Sequence, residues 1–199
     1  YDQMKSLRNL IKNPYGAQGF NHWNVINGGN GWSIESRGTF RGRSHVFASS
    51  YGCCSLNQEV SVNPSHSYNG ECATWISRRG DSVGIGQLVV IFNPIKGKPV
   101  KLETPETTVS GPALRFEKLQ LNFKVPKGTR SMTIMLRGID TNWCVETYGC
   151  RFGFSSLYLD DPVEGVDDEE SFELGASEPG RSKASWLRES GTNPREMKL

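Results

Sequence analysis

Apolar and polar residues alternate along much of the chain between residues 23 and 159. The clearest run is Leu119–Val125, in which leucine, phenylalanine and valine alternate with glutamine, asparagine and lysine. Residues 132–136 repeat the pattern with methionine, isoleucine and leucine, after the turn Pro126-Lys127-Gly128. In a strand, successive side chains point to opposite faces, so residues two apart share a face. Each run therefore predicts an antiparallel strand with one face on a core and the other in water.

Further short extended runs fill the rest of this region, separated by Gly, Pro, Asn and Ser. With the two runs above they give nine or ten strands, and a turn signal comes about every 8 to 12 residues. The pattern offers no βαβ unit. It predicts one all-β domain over residues 13–160, an antiparallel β-sandwich or jelly roll of the galactose-binding-like kind. The further strands are predicted at Trp32–Glu35, His45–Ser49, Leu56–Val62, Cys72–Arg78, Gln87–Phe92, Val100–Glu103 and Phe152–Leu159.

The first twelve residues have a different pattern. Their apolar residues recur at helical spacing, at Met4, Leu7, Leu10 and Ile11. The pair Asn13-Pro14 would end such an element, because proline disfavours helix at the residue before it. We predict a short linker helix over residues 1–12. The sequence begins with Tyr1 and lacks a secretory signal, so we expect it to be part of a longer chain.

The composition changes abruptly after Leu159. Seven acidic residues lie between 160 and 170, and no basic residue follows until Arg181. Such a segment cannot bury enough apolar surface to offset its ordering entropy, so we predict that residues 161–199 are disordered. The tail is interpreted either as an acidic interaction segment or as a solvated extension.

Charge and hydropathy indicate which classes of partner the protein is not expected to bind. The net charge of +2 hides a basic body and an acidic tail: 18 Lys and Arg against 10 Asp and Glu up to Leu159, and 5 against 11 beyond it. The basic residues are scattered and form no stripe interleaved with aromatics, which argues against nucleic-acid binding. The longest apolar run, Leu88–Phe92, is far too short to cross a bilayer. We expect neither nucleic acid nor a membrane as partner.

Cysteine usage favours a reducing compartment. The five cysteines include an adjacent pair, Cys53 and Cys54, and form no C-x-x-C motif, so no disulfide framework is indicated. The absence of any N-glycosylation sequon agrees with a cytosolic location. Secretion remains the alternative, because the spacing of Cys144 and Cys150 would suit a small loop disulfide.

No catalytic, cofactor or metal signature is found. The glycine-rich stretches at 28–31 and 84–86 are not followed by a helix, as a phosphate-binding loop must be, and are interpreted as turns. The three histidines have no zinc-ligand spacing. A thiol nucleophile at Cys53 or Cys54 near His45 is the enzymatic alternative, but one of two adjacent strand cysteines is more simply a core residue. We expect a binding protein without cofactor, metal or catalytic residues.

Aromatic residues in loops are the remaining candidates for binding. Trp143 lies in the polar stretch between the strands that end near Arg137 and begin near Cys150, and Tyr51 follows the run HVFASS. Loop tips of a rigid sandwich commonly carry binding groups. Exposed rings suit the CH face of a sugar, with Asn and Asp side chains binding its hydroxyls. The alternative is that Trp143 caps the end of the core.

The stretch RNLIKNPYGAQGFNHWNVINGGNGWSIE resembles the start of the F-box-associated domain of the sugar-recognising F-box only proteins. Three later stretches continue the likeness in the same order: FASSYGCCSLNQ, WISRRGDSVGIGQL and YGCRFGFSSLYL. The likeness covers residues 9 to 160. It rests first on Asn9, Leu10, Asn13, Pro14, Trp23, Gly28, Gly29, Trp32 and Glu35.

The resemblance implies a β-sandwich of about ten strands and a role in substrate recognition. In the family, the domain follows an F-box that docks to Skp and cullin subunits, and some members bind the chitobiose core of high-mannose N-glycans on misfolded glycoproteins. The family's aromatic residue after the FASS run is matched by Tyr51. Its aromatic-Trp-Lys trio falls on Trp143, Cys144 and Val145, so only the first of the three keeps its chemistry.

These observations lead to one principal hypothesis and one from another class. The first is a cytosolic substrate-recognition module of an SCF-type ubiquitin ligase, which binds glycoprotein or another protein through Tyr51, Asn142, Trp143, Cys144 and Val145. Its F-box, which would contact Skp and cullin, is not in this sequence. The second is a stand-alone β-sandwich that binds carbohydrate or protein outside any ligase. The gene sequence upstream of Tyr1 discriminates between them.

Overall fold

The chain forms twelve β-strands in the part that the structure describes. A computed structural model describes residues 8–26, 31–36, 40–42, 45–49, 54–79, 84–109, 111–112, 115–139, 149–160 and 195–196, with the backbone alone for Cys54, Arg195 and Glu196. The strands are β1 Asn24–Ile26, β2 Trp32–Glu35, β3 Val46–Ser49, β4 Cys54–Ser61, β5 Tyr68–Arg78, β6 Gly84–Pro94, β7 Val100–Glu103, β8 Thr107–Val109, β9 Glu117–Val125, β10 Thr129–Ile139, β11 Cys150–Leu159 and β12 Arg195–Glu196.

The strands build two antiparallel sheets that pack face to face. Sheet A has the order β1-β4-β10-β6-β7-β12, with β8 paired to β6, and sheet B has the order β2-β3-β11-β5-β9. Consecutive strands often lie in different sheets, so many connections cross from one sheet to the other. The predicted antiparallel β-sandwich is confirmed.

The core lies between the two sheets and is formed by every second side chain of the facing strands. Leu56, Leu136 and Leu88 lie directly opposite one another across β4, β10 and β6 and are fully buried. In sheet B the alternating run of β9 places Leu121 and Phe123 on the core. The Phe123 ring meets Phe92 of sheet A edge to face, at 5.3 Å between centroids. The alternation read from residues 119–125 therefore predicts the buried face correctly.

The predicted linker helix is wrong in its described part. Residues 8–12 have no helical hydrogen bonding and run beside β11, where Leu10 N–H donates to the Leu157 carbonyl at 2.9 Å. The Asn9 side chain donates to the Ser155 carbonyl at 3.1 Å and accepts from Leu157 N–H at 3.0 Å. Ile11 is buried because it joins the core of the sandwich. Residues 1–7 lie outside the described residues.

The predicted disordered tail needs a correction at one point. Arg195 and Glu196 form β12, which pairs antiparallel with Glu103 and Leu102 at the edge of sheet A. The edge strand β7 offers unpaired backbone groups there, which any extended segment can use. The rest of the tail, 161–194 and 197–199, lies outside the described residues. Two other short strands, β1 and β8, were also not predicted.

The Asn9 side chain bonds to backbone groups of β11 in the way that a neighbouring strand would. Its removal is therefore expected to destabilise the sandwich. Asn9→Ala deletes both side-chain hydrogen bonds to β11 and leaves the Leu157 amide without this acceptor. We expect a loss of about 1–3 kcal/mol in the free energy of unfolding, measured by urea unfolding. Asn63→Ala is the matched control, since that side chain accepts a single exposed hydrogen bond from Ser65 N–H. Equal losses for the two variants would contradict the assignment.

Cys72 couples the stability of the core to pH. It is fully buried in β5, and burial, with a smaller contribution from the Glu71 carboxylate, raises the pKa of its thiol. Above the ordinary thiol pKa of about 8.5 the unfolded chain loses this proton while the folded chain keeps it. Stability should therefore fall with rising pH, by up to about 1.4 kcal/mol per unit. Urea unfolding of the wild type and Cys72→Ala between pH 7 and pH 10 tests this; parallel pH profiles would contradict it.

Candidate functional site

Several connections between the two sheets meet at one end of the sandwich, here called the loop end. The segment 50–53 begins after Ser49 of β3 and ends before Cys54 of β4, and 140–148 joins Ile139 of β10 to the residues before β11. Register places Cys54 opposite Gly138, next to Ile139. The segment 27–30 begins and ends there too, since Ile26 pairs with Ser55 and Trp32 with Ser49. So does the segment 80–83, since Arg78 pairs with Cys150 and Ile85 with Ile139.

The two principal segments share an anchor. The Ser49 hydroxyl accepts a hydrogen bond from Cys150 N–H at 2.9 Å and lies 3.4 Å from the Cys150 carbonyl oxygen. Arg79 N–H donates to the Gly149 carbonyl at 3.0 Å. The ends of β3, β5 and β11 are thereby held together by buried groups. A buried hydroxyl bonded to backbone on a neighbouring strand fixes the exit points of both segments.

Two glycines allow close backbone approach at this anchor: Gly149 lets the start of β11 approach β3 within sheet B, and Gly84 lets β6 of sheet A approach sheet B. A Cβ placed on Gly149 would strike the backbone carbonyl of Ser49, and one placed on Gly84 would strike the carbonyl of Gly149. The Cys150 sulfur would lie 2.9 Å from that Gly84 Cβ and 3.2 Å from a Cβ on Gly86. Because the obstacles are backbone atoms, any side chain would force the strands apart. The absence of a Cβ is a requirement of this end of the fold.

An ion-pair cluster lies beside the anchor on sheet B. Glu35 accepts from Arg151 Nε at 2.8 Å and from Arg79 Nε at 3.1 Å, one on each carboxylate oxygen. Arg151 also donates to the Arg78 carbonyl at 3.0 Å. All three charged side chains are at least three-quarters buried, which strengthens such contacts relative to exposed pairs. The cluster ties β2, β5 and β11 together and leaves one net positive charge.

Two further arginines, Arg78 and Arg137, lie near the loop-end termini of β5 and β10, and with Arg79 and Arg151 they are here called the arginine rim. Arg78 donates from Nε to the Gly111 carbonyl at 2.5 Å, and Arg137 donates to the Gln87 side chain at 3.1 Å. Gln87 in turn donates to the Thr104 carbonyl at 2.9 Å. Each guanidinium is thus held by a fixed acceptor. A rim of oriented cations favours ligands rich in acceptor oxygens.

The predicted site residues lie in the segments that start from this end. Tyr51, Asn142, Trp143, Cys144 and Val145 are outside the described residues, and so is Cys53. The side chain of Cys54 is likewise not described, so the thiol alternative is not tested. What the structure describes is the framework from which both segments leave.

Sequence reasoning missed the framework residues as a site. Ser49, Gly84 and Gly149 are not predicted to meet, because their contacts join positions 65 to 101 residues apart along the chain. A signal was present for the ion pairs, because Glu35, Arg79 and Arg151 all belong to the motifs that carry the family resemblance. The signal gave no indication that the three residues touch.

Two further features are not found among the described residues. These residues contain no group of three or more His, Cys, Asp or Glu side chains that could hold a metal ion. Nor does that part of the chain contain a helix long and apolar enough to traverse a bilayer.

Gly149 can be tested as a structural requirement of the loop end. Gly149→Ala drives a methyl group into the Ser49 backbone, and we expect a loss of about 1–3 kcal/mol or more in the free energy of unfolding. Gly111→Ala is the control, since its new methyl would meet only the Arg115 side chain at 3.9 Å. Urea unfolding of both variants measures the difference. A stability of Gly149→Ala equal to that of the control would refute the close approach.

Solved structures with the same architecture are modules of other proteins. The CBM22-1 xylan-binding domain of Paenibacillus barcinonensis Xyn10C superposes with a TM-score of 0.55 at 11% identity, covering 77% of this chain and 95% of that one. The enzymatically active domain of bacteriophage CBA120 tailspike protein 4 gives 0.54 at 14% identity, over 76% of this chain and 21% of that one. At these identities the likeness establishes the fold alone.

Sequence comparisons agree with the resemblance inferred from the motifs. Human F-box only protein 44 is 24% identical over 181 residues, which cover 80% of this chain and 71% of that protein. A family model described as the F-box associated region matches residues 1–66, the part that contains the Asn9–Glu35 motif and all of β4. The predicted resemblance to the F-box-associated domain is thereby confirmed.

Proposed function

We propose that this chain is the substrate-recognition module of an SCF-type ubiquitin ligase and that it binds its substrate at the loop end. The observation that carries the proposal is the shared anchor of Ser49 and Cys150, from which both candidate segments leave. A rigid support that presents two adjacent segments suits recognition of another molecule. The module itself performs no chemistry in this proposal.

Chain connectivity keeps the candidate residues near the anchor. Tyr51 follows Ser49 by two residues, so its Cα lies within about 7 Å of the Ser49 Cα. Trp143 follows Ile139 by four residues and lies within about 14 Å of it. Together with Asn142, these residues would supply two rings and an amide beside a rim of arginines. Rings and amides are the groups that bind the CH faces and hydroxyls of a sugar.

The proposed substrate is a misfolded glycoprotein that displays the chitobiose core of a high-mannose N-glycan. Cys144 and Val145 stand where the family has Trp and Lys, so one ring and one cation are lost from the pocket. A single recognition group is commonly worth about 1–3 kcal/mol, and we therefore expect a weaker glycan affinity than an intact trio would give. Through an F-box in a longer chain, the protein would contact Skp and cullin subunits in the cytosol.

Calorimetric titration with a chitobiose-terminated high-mannose oligosaccharide tests the sugar specificity. We expect millimolar or tighter binding, at least tenfold weaker in Trp143→Ala and in Tyr51→Ala, since about 1.4 kcal/mol corresponds to one decade. Trp143→Phe should keep part of the affinity because it keeps a ring. Ile95→Ala is the control, since that side chain is exposed near the opposite end of β6.

Two outcomes would overturn the sugar specificity: no binding at millimolar concentration, or binding that Trp143→Ala leaves unchanged. The ligase role has its own measurement, which is recovery of Skp and cullin subunits with the tagged full-length gene product from cytosol. A full-length product that recovers neither subunit would contradict that role.

A second candidate function is a carbohydrate- or protein-binding module that acts outside a ligase. The jelly-roll likeness to a xylan-binding domain favours it, because both chains place two antiparallel sheets face to face. This alternative predicts ligand binding by the isolated chain without recovery of ligase subunits.

A further inference from the structure

A second candidate site lies on the solvent face of sheet B, far from the loop end. Along β11, β5 and β9, residues on this face stand directly opposite one another in rows. One row is Tyr158, Glu71 and Asn122, and the row beside it is Ser156, Ala73 and Gln120. Directly opposed residues have Cβ atoms about 4.5–5.5 Å apart. The first row therefore brings a ring, a carboxylate and an amide side by side.

A cavity of about 240 Å³ opens over this row. It is lined by Asn69, Gly70, Glu71, Asn122, Tyr158 and Asp160. Tyr158, Glu71 and Asn122 are partly buried, whereas Asn69 and Asp160 are exposed at the rim. Ser156 and Ala73 of the neighbouring row are small and buried, so their side chains do not fill the space above the sheet. The cavity is thus a shallow depression on the sheet, with a ring at one side.

Fixed hydrogen bonds orient two of the lining groups. Gln120 donates from Nε2 to the Asn122 Oδ1 at 3.0 Å, which turns the Asn122 amide so that its Nδ2 can donate elsewhere. Asp160 N–H donates to the Asn69 carbonyl at 2.9 Å and so fixes the end of β11 beside β5. The site offers a carboxylate acceptor and an amide donor as neighbours, which matches a hydroxyl group, since a hydroxyl both donates and accepts.

The same groups argue against other ligand classes. Glu71 and Asp160 repel phosphate and other anions, and no set of three metal-binding side chains is found in the described part of the chain. An apolar ligand would remove water from two carboxylates and two amides without giving them hydrogen-bond partners. The free energy of this desolvation disfavours its binding. A neutral ligand with hydroxyls on an apolar ring frame remains, and the Tyr158 ring supplies a surface for its CH face.

We propose that this depression binds a neutral saccharide, with a pyranose ring packed on Tyr158 and its hydroxyls bound by Glu71 and Asn122. The site does not depend on the proposed function. Tyr158 lies eight residues along β11 from Cys150, about 25 Å at the strand rise, so the two sites are separate. If one partner carried an oligosaccharide, the loop end and this depression would contact different sugar residues.

NMR titration of the isotopically labelled chain tests the proposal, with chitobiose, cellotriose, xylotriose and mannotriose as probes at millimolar concentrations. We expect at least one probe to shift the amide resonances of residues 69–71, 120–122 and 156–160. Tyr158→Ala and Glu71→Gln should weaken that binding at least tenfold, while Tyr158→Phe, which keeps the ring, should weaken it less. Glu117→Gln, an exposed carboxylate on β9, is the matched control and should bind as the wild type does.

The location of the shifts separates this proposal from the proposed function. Binding that survives Trp143→Ala and is lost in Glu71→Gln supports the sheet site, whatever happens at the loop end. Shifts confined to residues around Ser49 and Cys150, or binding that Tyr158→Ala and Glu71→Gln leave unchanged, overturn it. No shift with any probe also overturns it. Thermal unfolding of each variant verifies that lost binding is not lost folding.

Discussion

The structure depends on the close approach of backbone to backbone where the sheets meet at the loop end. Gly149 lies against the Ser49 carbonyl and Gly84 lies against the Gly149 carbonyl, so strands of both sheets converge without an intervening side chain. Hydrogen bonds between Ser49 and Cys150 fix the distance. The segments 50–53 and 140–148 adjoin that arrangement at Ser49 and Gly149. A rigid support of this kind would hold binding groups on both segments in a constant place.

The residues that carry the family resemblance mostly support the fold. Asn9 bonds to β11, and the Gln58 side chain accepts from Lys12 N–H at 2.8 Å and donates to its carbonyl at 2.9 Å. The Trp23 indole donates to the Asn13 carbonyl at 2.7 Å. These polar side chains satisfy backbone groups of a segment without regular secondary structure. Similarity at such positions therefore reports a shared scaffold and gives no information on the ligand.

The sandwich offers two surfaces with different chemistry. The loop end carries arginines whose partners are Glu35 and backbone or amide oxygens, while the depression around Tyr158 carries two carboxylates and two amides. The strands of sheet B run from one surface to the other, and their core residues lie between the two surfaces. Such separation lets one fold bear unrelated recognition sites.

The sequence by itself determined the sandwich and most of its strands. Strict alternation over Leu119–Val125 predicted the buried face of β9, and β2 and β7 begin and end where predicted, because period and turn residues are local signals. The predicted linker helix is wrong because its described part forms no helical hydrogen bonds. Asn9 and Leu10 bond instead to β11, which lies more than 140 residues away along the chain. Only the tertiary structure decided that Ser49 meets Cys150 and that Tyr158, Glu71 and Asn122 form one row. Strand register joins distant residues, and no local pattern encodes it.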